Sequence, residues 1–300
     1  MMFSAMTQFT PFDVQRDGVV LHGRIGGSGA PLLLLHGHPQ THVIWHRVAP
    51  ALAERFTVVA MDLRGYGDSG RPADDANHVA YSKREMALDA MAVMAHHGFS
   101  RFGVLAHDRG ARVAHRLAAD HGEAVDRMLL LDIAPTLSMY ANTSEAFARA
   151  YWHWFFLIQP PPLPEALIAS DPVRYVRSVM GGRHAGLAPF AQEVMAEYER
   201  CIGIDGTAES ICADYRASAT IDLVHDREDV AAGRKLASPL RVLWGEHGAV
   251  GKCFGVLALW REVAHHVSGH SIPCGHYVPE EAPDAVLAEA FDFFSPLNKT

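Results

Sequence analysis

Phe102-Gly103-Val104-Leu105-Ala106-His107-Asp108-Arg109-Gly110-Ala111-Arg112 is the stretch that decides the fold. An apolar run breaks at a small-x-acid-x-Gly turn and continues into a helical pattern. A strand that turns this sharply needs small residues beside the central one, here Ala106 and Gly110, and lifts the central side chain above the sheet at the start of the next helix. The lifted residue is Asp108, not Ser. A carboxylate is a poor attacker of amides and ordinary esters, but it can displace a leaving group from carbon and become an ester itself. The plain alternative is that Asp108 only caps the helix.

Outward from this turn, further apolar runs alternate with helical stretches. Leu32–Leu35, Val58–Met61, Met128–Leu131, Leu240–Leu243 and His270–Ile272 read as strands. Most are continuous rather than alternating, as in parallel strands covered on both faces. Helical patterns fall at about 46–55, 82–97, 110–121, 255–266 and 281–294, which predicts an α/β fold around a central parallel sheet. A hairpin at about 12–25, turning at Asp17-Gly18, is expected before it. From 137 to 226 the alternation stops. Tyr151-Trp152-His153-Trp154-Phe155-Phe156 and Gln159-Pro160-Pro161-Pro162 open a helical insertion over the sheet. The expected division is a core of residues 1–136 and 227–300 and a helical cap of residues 137–226.

The 300 residues carry 26 Lys and Arg against 34 Asp and Glu, a net charge of −8 that offers no basic field for nucleic acid. No apolar run of about 20 residues predicts a membrane span, and Met1–Pro11 lacks the pattern of a signal peptide. Cys201, Cys212, Cys253 and Cys274 have no CxxC spacing and read as isolated thiols of a cytoplasmic protein, neither disulfides nor a metal site. His38, His42 and His46 have ligand-like spacing, but Pro39 interrupts it and no acidic or Cys partner is near in sequence, so no metal is expected.

Two other places complete a candidate site. His36-Gly37-His38-Pro39 follows the first apolar run, where a loop can supply a backbone N–H to an oxyanion; the Arg109 N–H is the expected second donor. His276, in Cys274-Gly275-His276-Tyr277, follows a short strand near the C-terminus and suits a general base. Asp132, one strand after Asp108, suits its orienter, with a turn cap as the plain alternative. Arg109 and Arg112, three apart at a helix start, can face one side of a pocket. Guanidinium groups bind carboxylates in pairs of hydrogen bonds, which points to a small anionic substrate.

With these residues the chain resembles the α/β-hydrolase superfamily, and within it the fluoroacetate (haloacetate) dehalogenases. The resemblance spans nearly the whole chain and includes Asp62–Ser69, Leu131–Thr136, Ala150-Tyr151-Trp152-His153-Trp154-Phe155 and Cys212-Ala213-Asp214-Tyr215-Arg216-Ala217. It implies an α/β-hydrolase fold with a mostly parallel sheet, helices on both faces and a helical cap insertion. It implies hydrolysis of a carbon–halogen bond in a short 2-haloacid, without organic cofactor or metal. Asp108 would be the nucleophile, His276 the base and Asp132 its orienter, with Arg109 and Arg112 on the substrate carboxylate. His153, Trp154 and Tyr215 would donate to the departing halide, and the His38 and Arg109 N–H groups would form the oxyanion hole. It also suggests a homodimer.

The nearest rival is an epoxide hydrolase, which uses the same elbow with cap tyrosines as acids. Tyr215 fits one such place and Tyr151 a second, but Arg109 and Arg112 would be wasted on a neutral epoxide. A non-catalytic binding protein is disfavoured by the intact Asp108, Asp132 and His276. One departure concerns Met180-Gly181-Gly182-Arg183, where the resemblance leads to a bulky aromatic, and His38, where relatives carry Phe. The missing bulk predicts a roomier pocket that prefers chloro- or bromoacetate to fluoroacetate.

Overall fold

The computed structural model describes residues 6–295, so Met1–Ala5 of the leader reading lie outside the described residues. Its centre is an eight-stranded sheet in the order β1-β2-β4-β3-β5-β6-β7-β8. The strands are β1 (Thr10–Arg16), β2 (Val19–Gly26), β3 (Ala30–Leu35), β4 (Phe56–Met61), β5 (Phe102–His107), β6 (Val125–Leu131), β7 (Leu240–Gly245) and β8 (Val267–Ile272). From β4 to β8 every pairing is parallel; β2 pairs antiparallel with both β1 and β4, so it alone runs against the other strands. Asp17 (φ 48) and Gly18 (φ 80) turn the hairpin, the pair of left-handed residues that a two-residue type I′ turn requires.

The continuous apolar runs have a direct cause. Leu33, Leu35, Val59, Met61, Val104 and Ala106 pack into one core. Their sequence neighbours Leu32, Leu34, Val58, Ala60 and Leu105 pack into a second core on the opposite face. Side chains alternate between faces along a strand, so a sheet covered on both sides needs apolar residues at every position.

The covering helices begin with α1 (Ala49–Leu52), α2 (Lys83–His96) and α3 (Asp108–Asp120). The helix expected at 46–55 is instead a 3-10 segment, His42–Arg47, followed by α1, because Thr41 caps the chain earlier by accepting the Val43 N–H. Between β6 and β7 lie α4 (Thr136–Ala141), α5 (Glu145–Ala150), α6 (Trp152–Leu157), α7 (Leu163–Ser170), α8 (Pro172–Gly181), α9 (Gln192–Ile202), α10 (Thr207–Ala219) and α11 (Ile221–Ala231). They form the helical insertion between β6 and β7, the last of them, α11, running past residue 226. The chain then adds α12 (Ala249–Cys253), α13 (Val256–Val263), α14 (Val278–Glu281) and α15 (Pro283–Phe294). His265 and His266, read as helical from the sequence, lie in the bend after α13. Among the described residues no helix is long and apolar enough to cross a membrane.

Candidate active site

Asp108 stands where β5 becomes α3, with φ at 46°. Left-handed backbone is costly for a residue with a side chain and persists only when its surroundings enforce it. Two glycines allow the close packing that does so. A Cβ on Gly37 would lie 2.4 Å from Asp108 Cβ, and one on Gly110 would lie 2.4 Å from the His36 carbonyl oxygen. Asp108 is 5% exposed. Burial works against its charge, but His276, His107, Arg109 and Arg112 outweigh burial and hold the carboxyl well below the usual carboxylate range. Its position at the start of α3 favours the anion as well.

His276 faces this carboxylate, with Nε2 3.9 Å from Asp108 Oδ2. Its Nδ1 is 2.5 Å from Asp132 Oδ2. Asp132 is fixed in turn, since Oδ1 accepts the Gly245 N–H at 3.0 Å. Asp132 therefore leaves the Nε2 edge of the imidazole toward Asp108. The His38 N–H donates to Asp108 Oδ1 at 2.9 Å. The second expected donor, the Arg109 N–H, makes no hydrogen bond to that carboxylate in this structure. The loop that carries His38 is anchored from below: His36 Nε2 accepts the Leu63 N–H at 3.0 Å. Asp62 accepts the His42 N–H and contacts His42 Nδ1, and Arg64 forks onto Asp89. His38, His42 and His46 turn to Tyr175, Asp62 and Glu280 respectively.

The cap brings its residues over Asp108. The His38 ring lies 6.2 Å from His153 and 5.3 Å from Tyr215. Tyr151 lies 6.1 Å from His276. Trp154 Nε1 and the Tyr215 hydroxyl are buried without a hydrogen-bond partner, an unfavourable condition that a ligand acceptor would relieve. Burial pushes the Tyr215 hydroxyl up, with Asp108 adding to it, so it keeps its proton. Burial, then Arg183, pulls His153 well below the ordinary imidazole value.

The two arginines part company. Arg112 stacks on Trp154, with Cζ 4.5 Å from the ring centroid. It donates to Thr136 Oγ1 at 2.6 Å and to Met139 Sδ at 3.3 Å, while Nε has no partner. Among the described residues no carboxylate pairs with it. Arg109 departs from the sequence expectation of a guanidinium free for substrate. Its Nε and Nη2 fork onto Asp214 at 2.8 and 2.6 Å, and Nη2 also reaches Ser218 Oγ at 2.6 Å. That leaves at most Nη1 for a ligand. Asp214 accepts from Lys83 and from the Tyr66 hydroxyl too, so a buried carboxylate from the cap is shared by Lys83 of α2 and Arg109 of α3.

This junction gives a first test. Asp214→Asn leaves Arg109 and Lys83 buried without that carboxylate, and the expected loss is about 3–5 kcal/mol of folding stability. Burial opposes ionisation of Asp214, but Arg109 and Lys83 prevail and hold its carboxyl low. The contribution is therefore complete above the ordinary carboxylate range and fades only as pH falls through the depressed value. Urea titration at neutral pH measures the loss. The exposed pair Arg101–Asp126 serves as the control, where Asp126→Asn changes little.

Sequence reading assigned no role to Asp214, Lys83 or Arg183, whose partners lie far away in the chain. Gly181 and Gly182 do not face open space. A Cβ on Gly181 would meet Leu187 Cγ at 3.3 Å, and one on Gly182 would meet the Ser178 carbonyl at 2.9 Å. Both glycines end α8 against the cap itself, and Arg183 occupies the site side. A cavity of about 460 Å³ lies elsewhere, lined by His115, Ser138, Asp226, Arg234 and Glu262 among others, and none of the catalytic candidates borders it.

Comparison with known proteins identifies the fold family. The family model for the alpha/beta hydrolase fold matches residues 30–283. A fluoroacetate dehalogenase from a Burkholderia species is 40% identical over 278 residues, covering 92% of this chain and 91% of that one. A soluble epoxide hydrolase from Corynebacterium sp. (strain C12) is 37% identical over 297 residues, covering 97% and 99%. A crystal structure from Nostoc sp PCC 7120, described as that of an alpha/beta hydrolase, is 50% identical with a TM-score of 0.94, covering 97% and 99% of the two chains.

Proposed function

Because this chain belongs to the α/β-hydrolase family, we propose that it hydrolyses a small substrate through an ester on Asp108, and that the substrate is a short 2-haloacid. The observation that carries the substrate reading is Arg112: a buried guanidinium on the helix that begins with the nucleophile, with no carboxylate paired to it among the described residues. Burial first, then Arg109, lowers its hold on its proton, with Asp108 pulling the other way. A substrate carboxylate would complete the pairing that the protein leaves open. The residues of 137–226 act in this reading as the cap and the remainder as the core.

The steps follow from the two oxygens of Asp108. Oδ1 is held by the His38 N–H, so Oδ2 is the attacking atom. It forms a bond to the halogen-bearing carbon as the carbon–halogen bond breaks, and the halide leaves toward Trp154 Nε1, the Tyr215 O–H and His153. In the ester, Oδ1 is the carbonyl oxygen and already sits on a backbone N–H. Water attacks the carbonyl carbon while His276 Nε2 takes its proton. The developing oxyanion is stabilised at His38, as preorganised donors do in acyl transfer. On collapse the ester C–O bond breaks, the imidazolium of His276 returns its proton to the departing oxygen, and the 2-hydroxy acid leaves; the carboxylate is restored with the water oxygen retained in it.

A second reading is favoured by the fate of Arg109. With its guanidinium committed to Asp214, half of the argument for an anionic substrate is gone, and several relatives are named epoxide hydrolases. In that reading Oδ2 attacks an epoxide carbon and the Tyr215 O–H protonates the departing oxygen, with Tyr151 nearby. Halide release from chloroacetate and fluoroacetate, run beside diol formation from styrene oxide, decides between the two. Arg112→Met is expected to lower kcat/KM on chloroacetate by about 2–5 kcal/mol, chiefly through KM. An unchanged KM would remove the anionic-substrate reading and favour the epoxide.

A further inference from the structure

Arg183 enters the site from the turn after α8. Its Cζ lies 4.6 Å from the Tyr151 ring centroid, Nη1 donates to the Ala150 carbonyl at 3.3 Å, and Nη2 faces His153 Nε2 at 3.4 Å. Among the described residues no carboxylate pairs with it. A guanidinium has no lone pair to offer, so His153 Nε2 must be the acceptor, and its ring proton sits on Nδ1. Burial works against the charge of Arg183, while Tyr151, Tyr277, Asp108 and Tyr215 favour it. The Tyr277 hydroxyl, in a side chain only 1% exposed, lies beside Arg183: burial pushes its pKa up and the guanidinium works against that.

The charges around Asp108 are therefore unevenly paired. Arg109 and Lys83 share Asp214, whereas Arg112 on the core side and Arg183 on the cap side make no ion pair among the described residues and have Asp108 as their common neighbouring anion. A monoanionic haloacid needs only one of them. We propose that Arg183 is a specificity-determining residue that binds a second acidic group of the substrate, so that the preferred class is a short dicarboxylate with its reactive carbon beside one carboxylate, such as a 2-halosuccinate. This rests on the reading of Arg112 as holder of the first carboxylate. Arg183 then takes the far carboxylate, with the Tyr277 hydroxyl as a neighbouring donor. The aromatic face of Tyr151 supports the guanidinium and keeps it extended into the site.

The test compares ligands of equal chain length. Succinate and butyrate are titrated by calorimetry into Asp108→Asn, which binds without reacting, and the ratio of their affinities is read. The expected ratio is at least tenfold in favour of succinate. It falls to near one when Arg183→Gln is added and is partly restored by Arg183→Lys, which a merely structural role for Arg183 would not produce. Equal binding of the two ligands, no binding of succinate, or a ratio unmoved by Arg183→Gln would overturn the proposal. Arg112→Met is expected to weaken both ligands together. If it leaves butyrate unchanged, the reading of Arg112 fails, and that outcome is distinct from a failure at Arg183. Since no bond is cleaved, the ratio is readable whichever electrophile the enzyme uses. In turnover, kcat/KM for 2-chlorosuccinate over 2-chlorobutyrate should show the same tenfold preference and the same loss in Arg183→Gln.

Discussion

Asp108→Asn is expected to abolish turnover, by about 10⁴-fold or more, the scale of loss when a nucleophile is removed from a triad. The amide keeps the shape of the carboxylate, and its oxygen can still accept the His38 N–H, so the elbow is retained. Asparagine also tolerates the left-handed backbone at this position better than most residues. What is lost is the anionic lone pair at Oδ2 that attacks carbon. The measurement is initial rate on the best substrate at equal folded concentration, with thermal unfolding as the check on structure. Activity within tenfold of the parent would mean that Asp108 only caps α3.

His276→Asn is expected to behave differently. Attack by Asp108 on carbon needs no proton transfer from the imidazole, because His107, Arg109 and Arg112 still favour the ionised carboxylate when His276 is gone. The second step does, since water must lose a proton as it adds to the ester. Steady-state turnover should therefore collapse after a burst of one leaving group per active site, and the protein should gain the mass of the acyl-linked substrate. Peptide mapping should place that mass on the segment that contains Asp108. If His276 were only a structural histidine, its replacement would yield neither burst nor adduct. Asp132→Asn should weaken the same step less completely, because the imidazole remains and loses only its orienter.

The sheet and the elbow were legible because their signals are local. A two-sided parallel sheet demands apolar residues in unbroken runs, and the turn at Asp108 demands small residues at Ala106 and Gly110. Asp132 and His276 were legible from their place in the strand order, although 144 residues separate them. The charge balance of the pocket was not. Asp214 meets Arg109 across 105 residues and Lys83 across 131, and no spacing encodes that meeting. Arg109 therefore read as a free cation, when the fold gives it a carboxylate from α10. Arg183 was missed for the opposite reason. Gly181-Gly182 read as a loss of bulk, whereas the chain ends α8 there and turns the next side chain inward. The start of α1 was misplaced because the cap at Thr41 and the 3-10 segment after it leave no 3.6-residue pattern.

The central claim is that the oxygen of the product's new hydroxyl comes from Asp108 and not directly from water. A single turnover in ¹⁸O-water, with enzyme in excess over substrate, tests it most directly. The expected product carries ordinary oxygen in its new hydroxyl, and the peptide containing Asp108 gains one heavy oxygen. Heavy oxygen in the first-turnover product, with an unlabelled Asp108 peptide, would show that water attacks the substrate carbon directly and would contradict the ester mechanism.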